Sequence, residues 1–239
     1  MQDDRTPADI VLAADPREID LPPRPRALAG IAALLTEAPW TVGAEEIERL
    51  RGVGLSDEGI VQAITVAAMF NYFTRVADGT GIDFDYLSPL PRIKVDRARE
   101  PLPRPEPASF PRREPVPGVS LARRPGTQAA VSRWKAYAFD SDAPLSRRDR
   151  AVLRRTAAFH VADAVGLAEH GDLLPRDARE FALAAYAEKL TRTPWAMEEA
   201  DLAPLRREGL DDSGLLHVIS VTALENLLAR LRLGLGEAV

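Results

Sequence analysis

The chain has 239 residues, of which 46% are hydrophobic and 28% charged, with a net charge of −5. That balance supplies material for a sizeable core and gives no electrostatic reason to expect nucleic acid or an anionic membrane as partner. There are no cysteines, so disulfides, thiolate metal sites and thiol nucleophiles are excluded.

Residues 1–24 are polar and proline-bearing, with Ile10, Val11 and Leu12 the only apolar cluster, and read as an arm. The first ten residues lack the basic-then-apolar order of a secretion signal, and no run of eighteen apolar residues occurs. The expected location is therefore the cytoplasm, with no membrane contact. An Ala- and Leu-rich run over 26–37 predicts a short helix ended by Pro39, and 44–51 predicts a second with Gly54 beyond its end. Ser56 then caps a long helix, with Ile60, Ile64, Ala67 and Ala68 at three- and four-residue spacing and Gly79 as its stop. Such a helix is about 33 Å long and is apolar on most faces, as in a core or a subunit contact.

Between 86 and 127 proline recurs every few residues among scattered arginines, which predicts an extended segment that tethers two halves or wraps one of them. Helical patterns resume at 131–137, and Ser146 opens a long helical run closed by Gly171. Three further helices follow, at 177–189, 200–208 and 212–233. No segment has a convincing period of two, so the predicted fold is all-α.

Two stretches, 36–81 and 191–236, align without a gap at an offset of 155 residues. Pro39 and Trp40 fall on Pro194 and Trp195, Gly54 on Gly209, Asn71 on Asn226, Arg75 on Arg230, and Gly79 on Gly234. A match of this kind predicts an internal repeat. The resulting division is 1–86 as a partial repeat, 87–128 as a linker and 129–239 as the more complete repeat.

The order LSRRDR, a histidine, ALAAYAEKLTRTPWAM, then a closing helix with Asn226 and Arg230, resembles the alkylhydroperoxidase D-like or carboxymuconolactone decarboxylase superfamily, especially its peroxidase-related members. AAMFNYFTRVADGTGI in the first copy is similar to the end signature of that family. The resemblance covers about 144–236 as one unit and 26–84 as the latter part of another. It implies a helical bundle with two repeats about a pseudo-twofold axis, and further self-association into a homo-oligomer. The family's site is a glutamate, then Cys-x-x-Cys and a histidine. Anchored on His170, the cysteine positions become Asp163 and Gly166, and the glutamate position becomes Ala151. Peroxide reduction needs a nucleophilic thiolate and a resolving thiol, so thiol peroxidase activity is expected to be absent.

What remains is a stripe of His160, Asp163, Leu167 and His170 on one predicted helix, in which Asp163 orients His160 and raises its pKa. Asp163 and His170 lie too far apart along such a helix to hold one metal, so neither metal nor cofactor is expected. His170 with Asp163 is the candidate catalytic pair, and Glu225 is placed to face His170 from across the fold. Asn226 and Arg230, like Asn71 and Arg75, read as a structural network with Asp78 near Arg75, or with Glu225 as ligand-binding groups. His217 reads as a surface or interface residue, and Trp40 and Trp195 as corner anchors. Two functions follow from the resemblance: a non-catalytic binding or assembly protein, or a thiol-free, cofactor-free decarboxylase in which His170 moves a proton on a small organic acid. A small organic acid or a peroxide-related molecule is the expected ligand.

Overall fold

The apolar periodicity becomes helix throughout. A computed structural model describes residues 21–82, 98 and 100–239, and among these residues there are nine α-helices and no strand. The first three are α1 (Pro23–Glu37), α2 (Ala44–Gly52) and α3 (Asp57–Thr80). After the proline-rich stretch come α4 (Pro125–Phe139), α5 (Arg147–His160) and the short α6 (Ala164–Ala168). The chain closes with α7 (Ala178–Arg192), α8 (Ala203–Arg207) and α9 (Asp212–Leu235). The predicted arm over residues 1–20 and part of the predicted linker, 83–97 and 99, lie outside the described residues.

The two longest helices, α3 and α9, pack along one another; α1 and α2 cover α3, while α5 and α7 cover α9. Each begins with a side-chain cap, Ser56 accepting from the Gly59 amide and Asp211 from the Gly214 amide. Each ends at a left-handed glycine, Gly81 at φ 67° and Gly236 at φ 69°, where a Cβ would be strained. Gly79 therefore does not stop α3, contrary to the expectation from sequence. It sits inside the helix where α9 comes close, and a Cβ there would lie 3.0 Å from Ile219. At Gly234 the corresponding distance is 2.7 Å to Ile64, so both glycines let the long helices approach.

Among the described residues the core has two clusters. Leu35, Ile47, Leu50, Ile60 and Ile64 meet Leu224, Leu228 and Leu231 in one, and Leu153, Leu183, Leu190, Val218 and Ile219 form the centre of the other. Because α9 supplies both, it ties the clusters together, each buried aliphatic side chain contributing on the order of 1.5–3 kcal/mol of transfer free energy. By length and composition α3 and α9 could each cross a membrane, a property that the count of consecutive apolar residues missed. Most of α9 is nevertheless buried inside the protein, whereas Val66, Phe70 and Phe73 of α3 are exposed.

Three predicted boundaries move, each for a local reason. The helical run after Ser146 breaks at Ala162, which takes φ 56°, so α5 and α6 are separate and the proposed four-residue stripe is not one helix face. The predicted helix at 200–208 is a 3-10 turn over Glu199–Leu202 followed by α8, because Pro204 has no N–H to continue an α-helical ladder. Helix α4 starts at Pro125 rather than 131, since proline is well suited to the first helical turn.

Of the two expectations for the proline-rich stretch, wrapping describes residues 100–124. They form only two short 3-10 turns, Pro107–Ser109 and Leu121–Arg123, and lie against the bundle with Phe110, Val119 and Leu121 buried. The missing proline donors are not needed, because the bundle supplies the bonds. Arg51 donates to the Pro117 carbonyl at 2.6 Å, Arg113 to the Trp40 carbonyl, and the Leu121 amide to Glu237 Oε1 at 2.6 Å.

Candidate functional site

Of the positions anchored on His170, Asp163 belongs to a chain of ion pairs. Asp163, just after the break at Ala162, does not meet His160; it accepts from Arg232 Nε at 2.7 Å. Arg232 also reaches Glu225, and Glu225 accepts from Arg154 Nε at 2.7 Å, while Arg154 extends to Glu169 at 2.7 Å. Asp163, Glu225 and Arg232 are buried. Burial would push the Glu225 carboxyl up, but the two guanidiniums beside it outweigh that and hold it below its usual range. Asp163 faces only one guanidinium, and its burial wins, raising its pKa. Gly166 is part of this geometry: a Cβ there would lie 2.5 Å from Asp163 Oδ2 and 2.6 Å from Arg232 Nη2.

His170, half-buried after α6, stands at the edge of this network with its Nε2 buried and without a hydrogen-bond partner among the described residues. Its pKa is lowered, chiefly by burial and then by Arg154, with Glu225 acting in the opposite direction. The expectation that Glu225 faces His170 thus corresponds to an electrostatic influence. Ala151 lies on α5, half-buried, and brings no ionisable group. His217 is half-buried on α9. Among the described residues no three metal-binding side chains converge.

A second constellation involves residues from both halves. Asn71 donates to Thr36 Oγ1 at 2.9 Å, and Arg75 Nη1 donates to Asn71 Oδ1 at 2.9 Å. Arg75 Nη2 then crosses to the Thr191 carbonyl at 3.0 Å. At an offset of 155 residues the same bonds recur: Asn226 donates to Thr191 Oγ1 at 2.8 Å, Arg230 Nη1 to Asn226 Oδ1 at 2.9 Å, and Arg230 Nη2 to the Thr36 carbonyl at 3.3 Å. Arg75 therefore holds the end of α7, and Arg230 the end of α1. Sequence spacing had suggested Asp78 as the neighbour of Arg75. Its charge does act on the guanidinium, but burial prevails and brings Arg75 down to about 10. Arg230 is lowered as well, by burial and by Arg75 itself. The Nε of each arginine is buried and has no partner among the described residues.

Beside these arginines lies a cavity of about 300 Å³. Trp40 and Trp195, expected only as corner anchors, line it together with Pro39 and Pro194. Arg192 and His160 contribute from the second half, and Pro101, Leu102 and Arg104 from the wrapping segment. Arg104 is held over the Phe159 ring, 4.0 Å from its centre. His160 does not have the raised pKa expected of an aspartate partner. Its Nε2 lies 3.6 Å from Glu188, its Nδ1 is buried without a partner among the described residues, and burial pulls its pKa down to about 4. Glu188 opposes that shift, while Arg104 and Arg192 add to it.

Sequence reasoning found Arg75, Arg230 and the tryptophans but not the cavity they share with Arg104 and His160. The one available signal was that Pro-Trp and Asn-x-x-x-Arg both recur at an offset of 155 residues. No protein-family model matches the chain, and a search of curated proteins finds no match.

Proposed function

We propose that this chain is a diverged alkylhydroperoxidase D-like (carboxymuconolactone decarboxylase superfamily) protein, duplicated within one chain, that has lost thiol peroxidase chemistry and works by binding. The observation that carries the reading is the fate of the two positions that align with the family's cysteines. Asp163 is engaged by Arg232, and a Cβ at Gly166 would come within 2.5 Å of Asp163 Oδ2 and 2.6 Å of Arg232 Nη2, so a side chain there would displace that pair. A site that needs a free, ionisable sulfur at both places is replaced by a structural ion pair. The duplication is supported by the Thr–Asn–Arg bonds that recur at the offset of 155 residues and by the matching caps and close-approach glycines of α3 and α9. On this reading the protein is cytoplasmic and assembles with itself through the exposed side chains of α3.

One observation favours a second reading. His170 keeps an unpartnered Nε2, and its lowered pKa leaves the ring neutral at pH 7, as a general base requires. That would suit a thiol-free decarboxylase acting on a small organic acid. The two readings separate in a turnover assay and a thermal-shift screen of small acids. The binding reading expects no hydroperoxide reduction and no acid consumed. Turnover that disappears in His170→Ala but survives in His217→Ala overturns it in favour of the enzyme.

A further inference from the structure

The cavity between the two Thr–Asn–Arg networks has an unusual electrostatic composition. Arg75 and Arg230 are 3% and 1% exposed; among the described residues neither donates a hydrogen bond to a carboxylate, although the charge of Asp78 acts on Arg75. Their Nη atoms are used on carbonyl and amide oxygens, and each Nε is left over. A buried cation without a counter-charge is costly, because neutral hydrogen bonds replace only part of its hydration. Arg104 and Arg192 add two more guanidiniums to the lining, and Arg192 is engaged at 3.0 Å by Glu188. Two acids, Glu37 and Asp78, also line the space, so cations still outnumber anions. His160 contributes a neutral imidazole at physiological pH.

The apolar part of the lining is made of two indoles, three prolines, Leu102 and Val161, with threonine and asparagine side chains beside the arginines. Cavities of this size enclose small molecules, and their few polar groups set which chemistry is accepted. Guanidinium groups match the planar fork of a carboxylate better than they match a neutral group, and indole faces accept a ring.

We propose that the cavity between Arg75 and Arg230 binds a small carboxylate with a flat apolar body, its carboxylate toward the arginines and its ring against Trp40 and Trp195. The ligand adds an anion to a lining in which four guanidiniums face two carboxylates. Arg104 closes over it from the wrapping segment, which gives the proline-rich stretch a role in recognition. This goes beyond the binding reading above and does not rest on the loss of thiol chemistry.

The probe is benzoate, with benzyl alcohol as the neutral counterpart and inorganic phosphate as the bare anion, each titrated into the full chain by calorimetry and tryptophan fluorescence. Benzoate is expected to bind saturably and quench the indoles, and benzyl alcohol to bind at least ~10-fold more weakly, about 1.4 kcal/mol. Because Arg75 and Arg230 also hold backbone carbonyls, their variants can fail to fold. Arg104→Glu, at the rim, is therefore the decisive variant: it should retain the helical circular-dichroism spectrum and lose benzoate binding by ~10-fold or more. Trp195→Phe should keep binding and lose part of the quench. Any of three results overturns the proposal: equal affinity for benzoate and benzyl alcohol, saturable binding of phosphate but not benzoate, or benzoate affinity unchanged by Arg104→Glu. No binding of any probe overturns it as well, and leaves the outcome of the peroxide and His170 assays unaffected.

Discussion

Helices α3 and α9 are of equal length, 24 residues, with the same type of N-terminal cap and the same left-handed glycine beyond the end, yet they have different surroundings. On α9 nearly every residue from Leu215 onward is buried; on α3 Phe70 is 62% and Phe73 53% exposed. The positions that correspond at the offset of 155 residues explain the difference. Phe70 stands where α9 has Glu225, and Ala77 where it has Arg232. A buried glutamate is tolerable on α9 only because α5 brings Arg154 to it and the turn after α5 brings Asp163 to Arg232. The same helix signals thus produce a core helix or a partly open one, according to what packs on top.

The largest test of that contrast is Arg232→Ala. Removing this guanidinium leaves two buried carboxylates without their shared counter-charge and should cost about 3–5 kcal/mol in chemical denaturation. Adding Glu225→Gln in the same background should recover part of the loss, since one of the stranded charges is then gone. A single-variant loss below about 1 kcal/mol would mean that the network is not what lets α9 carry charge in its core.

His160 belongs to the second half alone and gives a pH test. Its pKa is about 4 in the folded protein against an ordinary value of 6.5, so the unfolded chain takes up the proton first as pH falls. The associated stability is fully present above pH 6.5 and is lost between 6.5 and 4. At 1.36 kcal/mol per pH unit this amounts to about 3 kcal/mol at most. His160→Phe should flatten the stability profile across that window, and a slope that persists in the variant would assign it to other groups.

The two Thr–Asn–Arg networks should instead behave alike. Asn71→Ala and Asn226→Ala each remove a side-chain bond to an arginine Nη1, which keeps the backbone carbonyl of the same residue, and a bond to a threonine hydroxyl, and each should cost about 1–3 kcal/mol. Losses that differ by much more than about 0.5 kcal/mol would break the equivalence of the halves. The smallest effect is expected where they differ most visibly: Phe70→Glu, which copies the α9 residue onto α3, should change monomer stability by no more than about 0.5 kcal/mol. Size-exclusion chromatography of the same variant tests the proposed self-association, because a charge in a contact face should shift the protein toward monomer.

The sequence by itself determined the helical class, the long α3 and α9 and the pairs Asn71–Asn226 and Arg75–Arg230, because periodicity, caps and recurrence are local or readable by offset. It misplaced the end of α3, since a glycine inside a helix and a glycine after one look alike until the neighbouring helix is present. It also treated 147–170 as one helix, because nothing in the composition of 160–163 announces the left-handed turn at Ala162. Which acid meets which base was a tertiary decision: Asp163 chose Arg232, 69 residues away, over His160 three residues away. The cavity was another, since its walls come from both halves and from the wrapping segment. Burial sets the ionisation of Arg75, Arg230 and His160, and burial depends on what packs around a residue rather than on what precedes it in the chain.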